Sequence, residues 1–413
     1  MEAPPGNRGN SGAELRFANE GLLLPPPKWG GTDGEAVTVG CGAAVPHPGR
    51  SRGRSLPMKG REDSIARILR GLKCRRPMTQ PVGILPFQSI SDLIEHGAIT
   101  AVGGVDADQV QPASLDLRLG RRAWRVRASF LPRPGGTVAA RIGDVAMHEL
   151  DLSAGAVLER GCVYIAELQE ALALPPGIGG RANPKSSTGR IDIFVRLLTD
   201  GQPAFDDVAD SYRGPLYLEI APQTFSILVR TGTRLNQLRL KRGTVPTLAA
   251  IDVGVDLTGA IAGYRARRHA GVIDMDLVDG HDPRDFWDEL TPRRGELLLD
   301  PGEFYILASK QAVEIPVDQA AEMIPIDPAV GEFRVHYAGF FDPGFGVAEA
   351  GGKGSRGVLE VRSRETPFLL EDGQTVARLV YEPLTERPTR LYGDGVSHYQ
   401  RQGLRLAKHF RAW

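Results

Sequence analysis

A faint internal repeat constrains this chain more than any single motif in it. Asp116, within Ser114-Leu115-Asp116-Leu117, is matched 140 residues later by Asp256, within Val255-Asp256-Leu257. Gly161-Cys162-Val163-Tyr164-Ile165 is matched by Gly302-Glu303-Phe304-Tyr305-Ile306 at an offset of 141, and Glu219 by Glu360 at the same offset. Gln237 and Gln374 follow at 137. Four landmarks at nearly one offset read as two copies of one unit, joined near Thr244 to Ile251. The boundaries expected are 78–245 and 246–413, each long enough to bury a core.

The unit is built from strands. Leu115, Leu117 and Leu119 alternate with polar neighbours, and Trp124 and Val126 keep the period of two. Further strands are predicted over Gly161 to Glu167, Leu216 to Ala221, Phe225 to Arg230 and Leu235 to Leu240. Ser89 to Gly97 carries a helical stripe of Ile90, Leu93 and Ile94, stopped by Gly97. No long helical pattern separates the strands, which argues against a βαβ sheet. The 50 glycines and 31 prolines suit short strands joined by tight turns. The expected fold is all-β, a barrel or jelly roll in each copy with a few short helices.

Basic and acidic residues balance at 50 each, but unevenly. Residues 1–77 hold 13 basic and 7 acidic residues, leaving 37 against 43 in the remainder. The remainder is mildly acidic, which argues against a nucleic-acid surface. Three cysteines, Cys41, Cys74 and Cys162, make neither a disulfide framework nor a zinc spacing. No apolar run approaches the length of a membrane span, and a cytoplasmic location is expected. Residues 1–77 mix glycine, proline and arginine with little periodicity and read as a disordered extension, with Met78 as a candidate start.

The chemistry-bearing stretch is Pro184-Lys185-Ser186-Ser187-Thr188-Gly189-Arg190. Short hydroxyls and backbone N–H groups in a turn can bind phosphate or hold a water, and Arg190 can fork onto an anion. A polar loop explains the same residues. Glu219 and Glu360 each lie in an apolar strand, where an unpaired carboxylate is costly to bury. The copies then diverge. The second has lost the hydroxyl and arginine set, since an offset of 141 lands on Asp327, Pro328 and Gly331. It carries instead His336-Tyr337-Ala338-Gly339-Phe340-Phe341-Asp342-Pro343-Gly344, a strand running into a turn whose backbone groups can read the edge of a planar ring. Tyr392, and a later group of His398, Tyr399, Gln400 and Gln402, have no first-copy partner. They offer aromatic stacking and amide hydrogen bonds, or simply an anchor for the tail.

These motifs resemble the two-copy form of dCTP deaminase, within the dUTPase-like superfamily, from Gly83 to Phe410. The resemblance rests on Ser186-Ser187-Thr188-Gly189-Arg190, on the two Leu-Glu pairs, on the strand ending in Asp342-Pro343-Gly344 and on the tail cluster. Lys185 stands where the family usually has arginine, and His398 where its tail has lysine. The resemblance implies two dUTPase-like distorted jelly-roll or barrel domains and hydrolysis of dCTP to dUTP and ammonia in pyrimidine deoxynucleotide synthesis. It also implies trimers or larger homo-oligomers with sites shared between neighbouring units. It matches the family's catalytic glutamate to both Glu219 and Glu360; the ring-reading strand before Glu360 and the aromatic tail after it assign the proton-shuttling role to Glu360, with Ser187 and Arg190 holding the water and developing charge and Glu219 as the alternative. Substrate contacts are expected from Lys185, Ser186, His336, Ala338, Asp342, Gln374, Tyr392, His398, Tyr399 and Gln400. The tail is expected to order over the nucleotide while the core folds without it.

Two other readings stay open. A dUTP pyrophosphatase, or a bifunctional enzyme, would attack phosphorus with an aspartate such as Asp342 priming the water. A non-catalytic nucleotide-binding regulator would leave Glu360 exposed and far from Ser187. Zinc deaminases use a His-x-Glu motif and a Pro-Cys-x-x-Cys pair, and this sequence has neither. Magnesium is expected to arrive with the triphosphate. Dialysis against a zinc chelator should therefore leave ammonia release from dCTP intact once magnesium is restored; a loss rescued only by zinc would contradict the expectation.

Overall fold

The computed structural model describes residues 81–326, 333–335, 339–363, 365–394, 399–400 and 402–413. The predicted extension 1–77, together with His336, Ala338 and His398, lies outside the described residues.

Alternating apolar residues form the predicted strands, and antiparallel pairing dominates. Strand Arg213–Pro222 lies between Val163–Ala173 and Ile193–Thr199. In the second half, Ser355–Ser363 lies between Phe304–Val313 and Phe333–Val335. The repeat survives in the register. Glu219 stands opposite Ile165, and Glu360 stands opposite Ile306, each partner 141 residues on. The Tyr164 hydroxyl accepts from the Glu159 N–H at 3.1 Å, and the Tyr305 hydroxyl accepts from the Asp300 N–H at 2.8 Å.

The sheets do not assemble as expected. The duplicated dUTPase-like jelly-roll or barrel is corrected by the hydrogen-bonding topology. Among the described residues the strands fall into six separate sheets of five, six, three, four, five and two strands, and none of their paths closes on itself. One of these sheets mixes the halves: Ile227–Val229 pairs in parallel with Ile273–Asp274 and antiparallel with Ala156–Leu158. The largest apolar cluster also crosses between halves, joining Leu85, Tyr164 and Phe225 to Trp287, Phe304, Ile306 and Phe410. The physical reason lies in the strand breaks. Register shifts at Leu119/Ala123, Pro215/Tyr217, Val253/Gly254 and Ala308/Ala312 bend or interrupt ladders that sequence alternation alone would continue.

Side chains near the middle of the molecule tie the halves together. Arg239, almost fully buried on strand Asn236–Arg242, donates to the Ala321 carbonyl at 3.0 Å and to the Phe341 carbonyl at 3.2 Å. Its guanidinium also stacks over the Phe340 ring, 4.0 Å from the centroid. Asn183 donates to Glu322 at 3.2 Å. These contacts hold the strand that leads into Asp342 against a sheet of the first half.

Helices are few and short. Phe87–Glu95 lies two residues earlier than the predicted Ser89 to Gly97 and buries Ile90. Val138–Val145 adds a second that the strand pattern does not predict, although Val138, Ile142 and Val145 have helical spacing and all three are buried. Thr137 caps it by accepting from the Ala140 N–H at 3.2 Å. No helix among the described residues is long and apolar enough to cross a membrane.

The C-terminal residues are core rather than a detachable cover. Leu406, Ala407 and Phe410 belong to the main apolar cluster, and His409 is fully buried. Backbone bonds fasten them to an earlier loop: Asp279 N–H donates to the Lys408 carbonyl at 2.9 Å, and Arg411 N–H donates to the His281 carbonyl at 3.0 Å. Phe410 meets Phe286 and Trp287 edge-on at 5.3 and 5.9 Å. The expectation that the core folds without residues 391–413 is corrected accordingly. Phe410→Ala should lower unfolding free energy by about 3–5 kcal/mol in urea titration; a loss below about 1 kcal/mol would show that this segment is dispensable to the core.

Candidate active site

The serine motif folds as one helical turn, Ser186–Gly189, between two strands. Lys185 starts it with extended backbone, and its carbonyl accepts from Thr188 N–H at 2.8 Å and Gly189 N–H at 3.0 Å. Lys185 N–H is itself tied to the Leu235 carbonyl at 3.0 Å. The turn therefore sits where strand Ile178–Pro184 ends beside strand Asn236–Arg242. Ser187 and Arg190 are both buried.

A cavity of about 500 Å³ opens at this turn, and both halves of the chain line it. The first half supplies Lys185, Ser186, Ser187 and Arg190, together with Asp116 and Gln237. The second supplies Gly339, Asp342, Glu360, Tyr392, Tyr399 and Gln402. Residues far apart in sequence thus meet within one chain.

Arg190 is held from the C-terminal side. It donates to Gln402 Oε1 at 2.9 Å and to the Arg405 carbonyl at 3.2 Å, and its guanidinium lies 4.0 Å from the centre of the Tyr399 ring. The Gln402 amide in turn donates to the Arg356 carbonyl at 2.9 Å, on the same strand as Glu360. The Tyr399 hydroxyl accepts from Lys408 N–H at 3.1 Å. Tyr399 is accordingly a packed partner of Arg190, and burial pushes its phenol up.

Glu360 is 6% exposed. Burial pushes its carboxyl up to about 7, with the Arg190 charge opposing the shift. Burial likewise raises Asp342 to about 6, against the pull of Arg239 and with Asp116 adding to the rise. Asp342 sits at the turn whose Gly344 has a left-handed φ of 91°; a side chain there would meet Ala350 and Leu391 at 3.1 Å.

Positive charge gathers elsewhere in the lining, from Lys185, Arg234, Arg390 and Lys408. Lys185 is ion-paired with the buried Asp116. Arg234 makes two bonds to Asp108, at 2.9 and 2.8 Å, and one to Asp106 at 3.1 Å. Burial pulls Lys408 down, and the neighbouring Lys185 adds to that effect. Four cations in one lining are suited to a polyanion. Among the described residues, no group of three or more His, Cys, Asp or Glu is placed to hold a metal ion.

Not every expected residue reaches the cavity. Glu219 is also buried, but it is ion-paired with Arg196, whose Nε lies 2.9 Å from Glu219 Oε1, and it does not line the cavity. Gln374 accepts from the Glu371 N–H at 3.1 Å in a local turn; its repeat counterpart Gln237 lines the cavity instead. Gln400 is turned into the adjoining loop, accepting from Gly346 N–H at 3.0 Å and donating to the Ala350 carbonyl at 3.1 Å. Gln402 takes the place by Arg190. Sequence reasoning marked Asp116 only as a repeat landmark, and Arg234, Arg390 and Lys408 lie in no motif that would single them out.

Comparison with known proteins gives concordant matches. Residues 81–244 match the N-terminal domain, and residues 231–410 the C-terminal domain, of 2'-deoxycytidine 5'-triphosphate deaminase. A dCTP deaminase of Halorubrum lacusprofundi is 30% identical over 159 residues, covering 38% of this chain and 75% of the relative. A dCTP deaminase, dUMP-forming, of Halobacterium salinarum is 33% identical over 103 residues, covering 24% of this chain and 48% of the relative. The crystal structure of 2'-deoxycytidine 5'-triphosphate deaminase from Agrobacterium tumefaciens is similar with a TM-score of 0.71 and 52% identity, over 74% of this chain and 99% of that one.

The raised Glu360 carboxyl has a consequence for stability. Its value moves from 4.5 to about 7, so between those pH values the folded protein holds a proton that the unfolded chain has released. Stability from this group is thus present at low pH and lost as pH rises through the folded value. Glu360→Gln should be more stable than the parent at pH 8, by at most about 3 kcal/mol, with the difference vanishing below about pH 4. Equal unfolding free energies for the pair at both pH values would show that the carboxyl is not held high.

Proposed function

The chain belongs to the 2'-deoxycytidine 5'-triphosphate deaminase family and hydrolyses dCTP to dUTP and ammonia, and we propose that Glu360, Ser187 and Arg190 carry the reaction in the shared cavity. One observation carries this assignment: of the two Leu-Glu glutamates, Glu360 alone lines the cavity with the serine turn. Glu219 is committed to Arg196.

Replacing the exocyclic amine of cytosine by oxygen needs three proton movements. Water must lose one proton as its oxygen bonds to C4, N3 must gain that proton, and the remaining proton of the C4 hydroxyl must pass to the amine as the C4–N bond breaks and C4=O forms. A carboxyl held near 7 can accept and return protons at neutral pH, so Glu360 can serve all three. The Ser187 hydroxyl is suited to holding the water, and the fixed Arg190 guanidinium to balancing negative charge that develops at the ring. Ammonia leaves and the ring closes its electron count as uracil.

The rest of the lining supports binding. Lys185, Ser186, Arg234, Arg390 and Lys408 suit the triphosphate, and magnesium accompanying that group belongs to the substrate. Tyr392 and the turn at Asp342 suit the sugar and base. The burial of Glu360 and its common cavity with Ser187 weigh against a purely regulatory nucleotide binder. Assembly into a trimer or larger oligomer belongs to this reading through the family pattern.

Glu360→Gln should abolish ammonia release while retaining dCTP binding, because the amide keeps the shape and cannot shuttle protons. Glu219→Gln should keep most turnover. An inactive Glu219 variant beside an active Glu360 variant would reverse the assignment. Product analysis in the same assays should find ammonia from dCTP and no pyrophosphate from dUTP; pyrophosphate release would add a phosphorus-attacking activity.

A further inference from the structure

Two residues outside the cavity join the catalytic turn to the glutamate strand. Asp192 lies two residues beyond Arg190, and Arg362 lies two residues beyond Glu360 on strand Ser355–Ser363. Alternation along that strand puts Arg362 and Glu360 on one face. Asp192 and Arg362 form an ion pair in which the carboxylate is 1% exposed. Thr224 completes the junction: its hydroxyl donates to Asp192 Oδ2 at 2.5 Å, and Arg362 donates to the Thr224 oxygen at 2.9 Å. Arg362 also donates to the Gly302 carbonyl at 2.5 Å.

The backbone at Asp192 is held in place as firmly as its side chain. Its φ is 59°, in the left-handed region that non-glycine residues seldom adopt. Its N–H donates to the Gly189 carbonyl at 2.9 Å, and its carbonyl accepts from Gln223 N–H at 3.0 Å. A left-handed non-glycine residue and a desolvated ion pair both cost stability. Neither Asp192 nor Arg362 lines the cavity, so that cost secures no contact with substrate. It secures instead the spacing between two chain segments.

We propose that the Asp192–Arg362 pair is a latch that sets the distance between Arg190 and Glu360 across the junction of the two halves, making both positioning residues for the hydrolysis. The inference rests on the reading of Glu360 as the proton carrier. Glu360 is faced by Arg190 from the serine turn and by Tyr399 from the C-terminal segment. Loosening the latch moves the glutamate strand relative to both groups and changes the field in which its carboxyl titrates.

The test compares Asp192→Asn, Arg362→Met, their double variant and Arg362→Lys in the full chain. Asparagine keeps the size and the tolerance for left-handed backbone while removing the charge. Each single variant should lower kcat on the order of 10- to 100-fold with KM for dCTP unchanged, and should displace the pH profile of kcat. The double variant should be no slower than the slower single, and Arg362→Lys should recover part of the rate. Arg230→Gln, which breaks the Arg230–Asp274–Asp276 cluster outside the cavity, calibrates the effect of stability loss alone. Wild-type kcat in Asp192→Asn, losses that multiply in the double variant, or losses that merely follow folded fraction as in Arg230→Gln would each overturn the latch. Glu360→Gln, assayed alongside, separates the two claims. If it still releases ammonia, the reading of Glu360 fails and the latch with it. If it is inert while Asp192→Asn turns over normally, the latch alone fails.

Discussion

The site depends on keeping one guanidinium out of water without neutralising it. Arg190 is 3% exposed, and its Nε has no hydrogen-bond partner among the described residues. An amide oxygen, a backbone carbonyl and an aromatic face replace part of its hydration, and these contacts include no carboxylate. A buried cation served by neutral dipoles keeps its field available to whatever enters beside it. Glu360 sits within that field, but burial outweighs it and the carboxyl stays high. A direct ion pair would instead hold a carboxyl ionised. Glu219 is paired with Arg196 and lies outside the cavity.

Sharing the cavity between two halves imposes an architectural demand. The serine turn and the glutamate strand belong to different ladders, so no single run of backbone hydrogen bonds fixes their separation. Side chains must do so. Arg239 reaches the carbonyls of Ala321 and Phe341, Asn183 reaches Glu322, and Asp192 meets Arg362. The apolar cluster that includes Phe225, Trp287 and Phe410 joins the halves in addition to these polar bridges. Directional bonds and non-directional packing thus divide the work of placement and cohesion.

The serine turn, the strand glutamates and the repeat are legible in the sequence because each is local or recurs at a fixed offset. The Leu-Glu pairs themselves do not separate the two glutamates, since Leu218-Glu219 and Leu359-Glu360 share the same preceding residue and an apolar setting; in the sequence only the strand before Glu360 and the tail after it favour that residue. The difference is Arg196, brought opposite Glu219 by strand pairing. The repeat misleads at Gln374. The offset drifts from 141 to 137 there, and the register shift at Val253/Gly254 lies in the strand that pairs alongside. Gln400 and Gln402 are two residues apart and chemically identical; only the path of the backbone sends one into a loop and the other to Arg190. Closure of strands into barrels is the expectation that fails, because bulges and cross-half pairing are set by contacts that alternation does not encode.

The burial of Leu406, Ala407, His409 and Phe410 beside residues of both halves also orders events in time. A ribosome that has released the serine turn has exported only Lys185 and Ser186 of the phosphate-suited wall and none of the residues that seat Arg190. The guanidinium must wait, solvated, until Gln402 emerges 212 residues later. Domains usually fold as they leave the ribosome. Here the chain can form local ladders early, but the cavity can close around Arg190 only once Gln402 has emerged.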